Sequence, residues 1–315
     1  METGRGYSTE NPLQSPETRA LYLKRASLII SSIALHAQGG EITLTDITEW
    51  LANKATVLAP NTIRQYRAAL TSYIREQLRL GLVDPVRAEN AILLMQKIRS
   101  SGNSKVNTSS VKAKSITPHQ ISLLLSRLGR KKSRYATAAA LMFKGSLIAG
   151  LRPVEWFTAS LKVDHKTGEG TLTVYNAKAT NGRSFGETRE LIIPAESVET
   201  IEKTIGYLAS LRASGISPDS IYAQARKMML LTGVKNGQRH VCLYTARHQF
   251  TANMKNIYRP EEVAMMLGHN STETASRHYG KRRSGHPEFK ELARLKKPQH
   301  RAVLAIRGTH GGPGA

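Results

Sequence analysis

The sequence predicts a mainly α protein with a small β-sheet, an α+β arrangement spread over two domains. Three observations carry this. Apolar residues recur at spacings of three and four along most of the chain, which is the helical period. Only Thr171–Tyr175 and, less cleanly, Thr188–Ile192 alternate as strands do. A length of 315 residues exceeds one ordinary domain, and a stretch at 101–115 rich in Ser, Asn, Thr and Lys divides it.

Residues 1–15 read as a flexible polar arm and 16–100 as a helical domain. Its clearest helix follows Pro60-Asn61, where Ile63, Tyr66, Leu70, Tyr73, Ile74 and Leu78 share one face and Gly81 is the stop. Arg64, Arg67, Arg75 and Arg79 line the other face, which suits either solvent or a phosphate backbone. Past the linker, Thr117-Pro118-His119-Gln120 supplies an N-cap, a proline at the first helical position and a capping-box glutamine, so a second domain begins at 116. Helical patterning continues to Gly150. The alternating stretches, with Asn181-Gly182 between them, make a β-hairpin with an enlarged turn. Helices follow at about 195–213, 218–231, 244–256 and 260–267, and this domain is taken to 285. Residues 286–315 read as a basic tail closing in Gly-Gly-Pro-Gly-Ala, a composition that favours disorder.

Charge narrows the partners. The 46 Lys+Arg against 23 Asp+Glu leave +23, which favours a polyanion because each neutralised phosphate releases condensed counterions. Nucleic acid comes first and an anionic membrane surface second. The longest apolar stretch, Ala26–Ala37, is broken by Ser31, Ser32 and His36, so no membrane span is expected. Met1–Arg19 has no apolar core of a secretory signal, and the protein is expected in the cytoplasm. Cys242 is the only cysteine, which removes an internal disulfide or a thiolate zinc site and leaves a small core residue as its role. Acidic residues are sparse and form no set able to hold two Mg²⁺ ions, so neither metal nor cofactor is expected.

Four short motifs stand in order: Gly150-Leu151-Arg152-Pro153-Val154-Glu155, Tyr244-Thr245-Ala246-Arg247-His248, Leu267-Gly268-His269 and Arg277-His278-Tyr279-Gly280. Lys178 lies between the first two. This order and spacing resembles the tyrosine recombinase, or phage-type integrase, family across about residues 116–285. Residues 16–100 are compatible with that family's helical core-binding domain. Two features depart from the pattern. Tyr244 stands where the family commonly has a histidine, and His269 and Tyr279 are ten residues apart, one more than is common.

The resemblance implies cleavage and rejoining of double-stranded DNA at a specific site, through a 3′-phosphotyrosine, without metal or ATP. Arg152 and Arg247 would bind the two non-bridging phosphate oxygens, a task suited to a rigid, permanently charged fork. Tyr279 would be the nucleophile. His269 would hydrogen-bond the phosphate or help move the tyrosine proton, and Lys178 would protonate the leaving 5′-oxygen, with Lys162 and Lys166 as rivals. Tyr244 would donate to a phosphate oxygen while making a poorer base than histidine. Glu155 would buttress an arginine or cap its helix, and His248 and His278 would be supporting or structural. The family further implies self-assembly, a tetramer on DNA, exchange of the segment after Tyr279 between neighbours, and a nucleoid-associated protein of bacterial or phage origin. A DNA-binding protein of the same fold with weakened or lost catalysis is the alternative, with Tyr244 as its sign. Topoisomerases and telomere resolvases share the chemistry, but a single helical N-terminal unit favours the integrase reading.

Overall fold

The computed structural model describes residues 16–36, 41–101, 112–177, 186–273, 279–286 and 292–296. The chain divides into two compact units, Met1–Asn107 and Thr108–Ala315. The arm at 1–15, most of the linker and the hairpin turn around Asn181-Gly182 lie outside the described residues.

In the first unit the helices are α1 (Pro16–His36), α2 (Leu44–Ala55), α3 (Pro60–Arg79) and α4 (Pro85–Lys97). Thr43 and Asp46 close a capping box on α2, and Asp84 caps α4 ahead of Pro85, so both starts satisfy backbone N–H groups that no helical carbonyl reaches. Ile63, Leu70 and Ile74 of α3 are buried with Ile29, Ile33, Leu51 and Met95, while Tyr66, Tyr73 and Leu78 pack at the margin. The arginine face of α3 is partly spoken for. Arg79 and Arg19 both bind Glu76, and Arg67 donates to the Ile98 carbonyl at 2.6 Å. Arg64 is exposed.

The second unit is built round α6 (Arg134–Ala149), a helix buried over most of its surface. Against it pack α5 (Pro118–Gly129), α7 (Ala195–Ala213), α8 (Pro218–Leu230) and α9 (Leu243–Ile257). The Thr117–Gln120 capping box that starts α5 is present on both sides. The sheet is antiparallel in the order β1 (Ser160–Val163), β2 (Gly170–Tyr175), β3 (Thr188–Ile193) and β6 (Arg294–Leu295). A two-stranded hairpin of β4 (Lys235–Asn236) and β5 (Arg239–His240) leads into α9, and α10 (Pro260–Met266) packs near β3 and β6.

The sheet is therefore larger than the two-stranded hairpin the alternation indicates. β1 has only four residues, and β4, β5 and β6 two each, too few for a period to register. Nor does the fold stop at 285. Leu292 and Ala293 are buried in the second unit's core, the Ala293 amide bonds the Ile148 carbonyl at 2.9 Å, and Leu295 pairs with Leu191. Residues 292–296 thus join the sheet of their own chain, although they fall inside the stretch the composition marks as tail.

Gly150 ends α6 in the left-handed region at φ 66°, and a Cβ there would lie 2.2 Å from Phe250 Cδ1. Phe250 is one turn beyond Arg247 on α9, so this contact sets how closely the two arginine-bearing segments approach. Gly150→Ala combines left-handed strain with overpacking and is expected to lower unfolding stability by about 2–4 kcal/mol. Urea denaturation checks it; a loss below about 1 kcal/mol would show that Phe250 yields freely.

Candidate active site

Arg152 follows Gly150-Leu151 in extended conformation and caps a 3₁₀ turn, Pro153–Phe157. Trp156 anchors this turn. Its indole fills the space over Gly145 and donates to Ser146 Oγ at 2.9 Å. Glu155 is thereby held in the interior, 1% exposed. Its Oε2 accepts the Arg152 amide at 2.7 Å and its Oε1 the Arg152 Nη1 at 2.5 Å. The same carboxylate receives Arg189 Nη2 at 2.8 Å and stands 3.7 Å from Arg247 Nη1. A buried charge requires such pairing.

Arg247, with no exposed surface, spans the second unit's core. Nη1 donates to the Gly150 carbonyl at 2.6 Å and Nη2 to the Leu267 carbonyl at 2.8 Å, tying α9 to the ends of both α6 and α10. Nη2 also meets His269 Nε2 at 3.1 Å, and Nε donates to the Tyr279 hydroxyl at 3.1 Å. His269 is aimed by Gly268, which turns the chain at φ 62° directly over Asn176 and Arg189. The Tyr279 ring lies between two imidazoles, 5.1 Å from His269 and 4.9 Å from His248, with the Arg247 guanidinium carbon 5.3 Å from its centroid.

The tautomer of His269 follows from this contact. A guanidinium only donates, so Nε2 accepts and the ring proton sits on Nδ1. Among the described residues that buried Nδ1–H has no partner. Likewise, no described residue accepts from Nε or Nη2 of Arg152, whose side chain is 7% exposed. An oxyanion would satisfy both groups.

Electrostatics agree. Burial would raise Glu155, yet Arg189 and Arg247 hold it well below the usual carboxylate range. Burial also opposes ionisation of Tyr279, but Arg247 and Arg152 outweigh it and bring the phenol below its ordinary value. For Tyr244 burial wins and raises the phenol. Burial together with neighbouring cations pushes His248 down to about 4 and His269 to about 2, so both imidazoles are neutral at pH 7.

Of the six residues singled out in the sequence, Arg152, Arg247, His269 and Tyr279 come together here, and Tyr244 lies about one turn before Arg247 on α9. Lys178 lies outside the described residues, as does His278. Lys162 and Lys166 are exposed on β1 and the turn after it. Arg189 went unrecognised. Its signal was the alternation of β3, which puts it on the inward face with Leu191 and Ile193, where a charge needs a partner. Among the described residues no group of three or more His, Cys, Asp and Glu could hold a metal ion, and no helix is long and apolar enough to cross a membrane.

Comparison with known proteins adds the following. No family profile and no curated protein matches the chain. Solved structures similar to it include recombinases and integrases. The XerH site-specific recombinase bound to its difH substrate is 17% identical, with a TM-score of 0.46 over 75% of this chain and 66% of that one. Lambda integrase (residues 75–356) bound to DNA is 14% identical, with a TM-score of 0.49 over 87% and 98%. The Tn1549 transposon integrase in complex with transposon right end DNA is 13% identical, with a TM-score of 0.43 over 83% and 94%.

The two histidines make the fold acid-sensitive. Their folded pKa values lie below the ordinary 6.5, so the unfolded chain takes up protons first. Stability is fully present above that pH and falls as pH drops toward 4, by up to about 1.4 kcal/mol per pH unit for each histidine. Chemical denaturation between pH 7 and 4.5 should show this slope, and His248→Gln should reduce it. An identical slope in the variant would contradict the assignment.

Proposed function

We propose that the protein is a site-specific DNA recombinase that cleaves and rejoins strands through a phosphotyrosine at Tyr279. The observation that carries this reading is the convergence of Tyr279 with two buried arginines and a histidine, among which Arg152 Nε and Nη2 and His269 Nδ1 bond no described residue. The scissile phosphate is held by Arg152 through Nε and Nη2 and by His269 through Nδ1–H, while Arg247, whose nitrogens bond Gly150, Leu267, His269 and Tyr279, contributes its positive charge. Tyr279 gives its proton to solvent, Arg247 Nε stabilises the phenolate left behind, and that Oη then attacks phosphorus to form the Oη–P bond. As the P–O5′ bond breaks, the leaving oxygen takes a proton, the role the resemblance gives to Lys178. The phosphotyrosine ester keeps the energy of the broken linkage, so a second DNA end can rejoin without ATP. No step requires a metal ion. The helical first unit and the strongly basic chain suit a grip on duplex DNA, and assembly of four protomers on DNA would complete strand exchange.

Tyr244 favours a second reading. Burial raises its phenol, so at neutral pH it can donate a hydrogen bond but not serve as a base. A protein that binds DNA with little or no cutting is the form this reading takes.

The test uses a pool of nicked duplexes, randomised across the core, incubated with the protein in EDTA and stopped with SDS. A covalent protein–DNA adduct is expected with wild type and none with Tyr279→Phe, while Arg247→Lys should slow its formation by about 100-fold or more. Because the phenolate is the nucleophile and its pKa is lowered, the rate should rise with pH and reach half its maximum below pH 10. Wild type that binds DNA without adduct, alongside a Tyr244→His variant that forms one, selects the second reading.

A further inference from the structure

Arg189 is a buried guanidinium that this reaction does not use. It forks across Glu155, Nη2 to Oε2 at 2.8 Å and Nη1 to Oε1 at 3.4 Å. Its Nε donates to the Met266 carbonyl at 2.9 Å, and Nη1 also bonds Asn176 Oδ1. Each of its three nitrogens bonds a protein acceptor. Without Arg189, Glu155 would be left to Arg152 and Arg247 alone, and half of their combined charge would be cancelled. With it, the group of Arg152, Arg189, Arg247 and Glu155 keeps two uncompensated positive charges.

Two positive charges match a particular species. A phosphodiester carries one negative charge. Release of the phenol proton to solvent and attack by the oxygen give a pentavalent phosphorane that carries two. An array with two surplus positive charges therefore complements the transition state more than the bound substrate, which is the condition for accelerating a reaction instead of merely tightening binding. Contacts in a water-excluded site make the difference large.

We propose that Arg189 is a positioning residue that neutralises Glu155 so that Arg152 and Arg247 deliver their full charge to the phosphorane. This rests on the recombinase reading above. The prediction is kinetic and not structural. Arg189→Met should slow single-turnover adduct formation by about 100-fold while DNA affinity changes by less than about threefold. Arg189→Lys, which keeps the charge, should recover most of the rate. Removing the carboxylate along with the guanidinium, Arg189→Met with Glu155→Gln, leaves Arg152 and Arg247 uncancelled and should run about tenfold or more faster than Arg189→Met alone.

A neutral substrate supplies the readout that simple distortion would not move. With a methylphosphonate at the scissile position of a duplex recovered from the nicked pool, the transition state carries one charge less. The penalty of Arg189→Met relative to wild type should then shrink by about tenfold or more. Each comparison pairs the two substrates in one protein, so reduced stability cancels, and Arg189→Gln serves if Arg189→Met does not fold. Equal penalties on the two substrates, or no gain from Glu155→Gln in the double variant, would overturn the role of Arg189 and leave the recombinase reading standing. A wild type that forms no adduct with any duplex would sink both.

Discussion

A single carboxylate, shut away from water beneath three guanidinium groups, sets the geometry of the second unit. Glu155 stays ionised there because Arg189 and Arg247 more than offset the cost of its burial. In return it fixes the Arg152 backbone and side chain, and through Arg189 it reaches the carbonyl of Met266 at the end of α10. Segments more than a hundred residues apart in the chain are thus held to one point. The arginines gain rigidity from this arrangement, and a rigid donor needs no rearrangement when charge develops in front of it.

Arg247 plays the complementary part. It joins the ends of α6 and α10 through the carbonyls of Gly150 and Leu267, and it carries the Tyr279 hydroxyl on its remaining edge. The phenol ring between His248 and His269 is packed as well as hydrogen-bonded. Neutral imidazoles suit this place, since a cationic ring would add repulsion to an already positive cluster. The same positive surplus lowers the Tyr279 phenol, so the groups that would bind phosphate would also activate the proposed nucleophile.

Much of this was legible in the residues. The capping box at Thr117, the face of α3 and the start of β2 each follow from local chemistry that tertiary packing did not override. The motif arginines, His269 and Tyr279 stand out because their order and spacing resemble the tyrosine recombinase family, and the structure brings these side chains together. The rest escaped for physical reasons. Strands of two to four residues are too short to show a period, and β6 sits in a basic stretch whose composition resembles a loose tail. The alternation of β3 turns Arg189 inward, but its partner Glu155 lies across the fold, so nothing in the neighbouring sequence names the ion pair. Glu155 is expected to buttress an arginine or cap its helix; it does both, and it serves three arginines.

Tyr279 is the residue on which the proposed chemistry converges, and the most direct measurement is the identity of the side chain bonded to DNA. The trapped adduct is digested with nuclease and trypsin, and the peptides are read by tandem mass spectrometry. The account predicts a residual nucleotide attached through phosphate to Tyr279. A nucleotide on Tyr244 or on any other side chain, with Tyr279 unmodified, would contradict it.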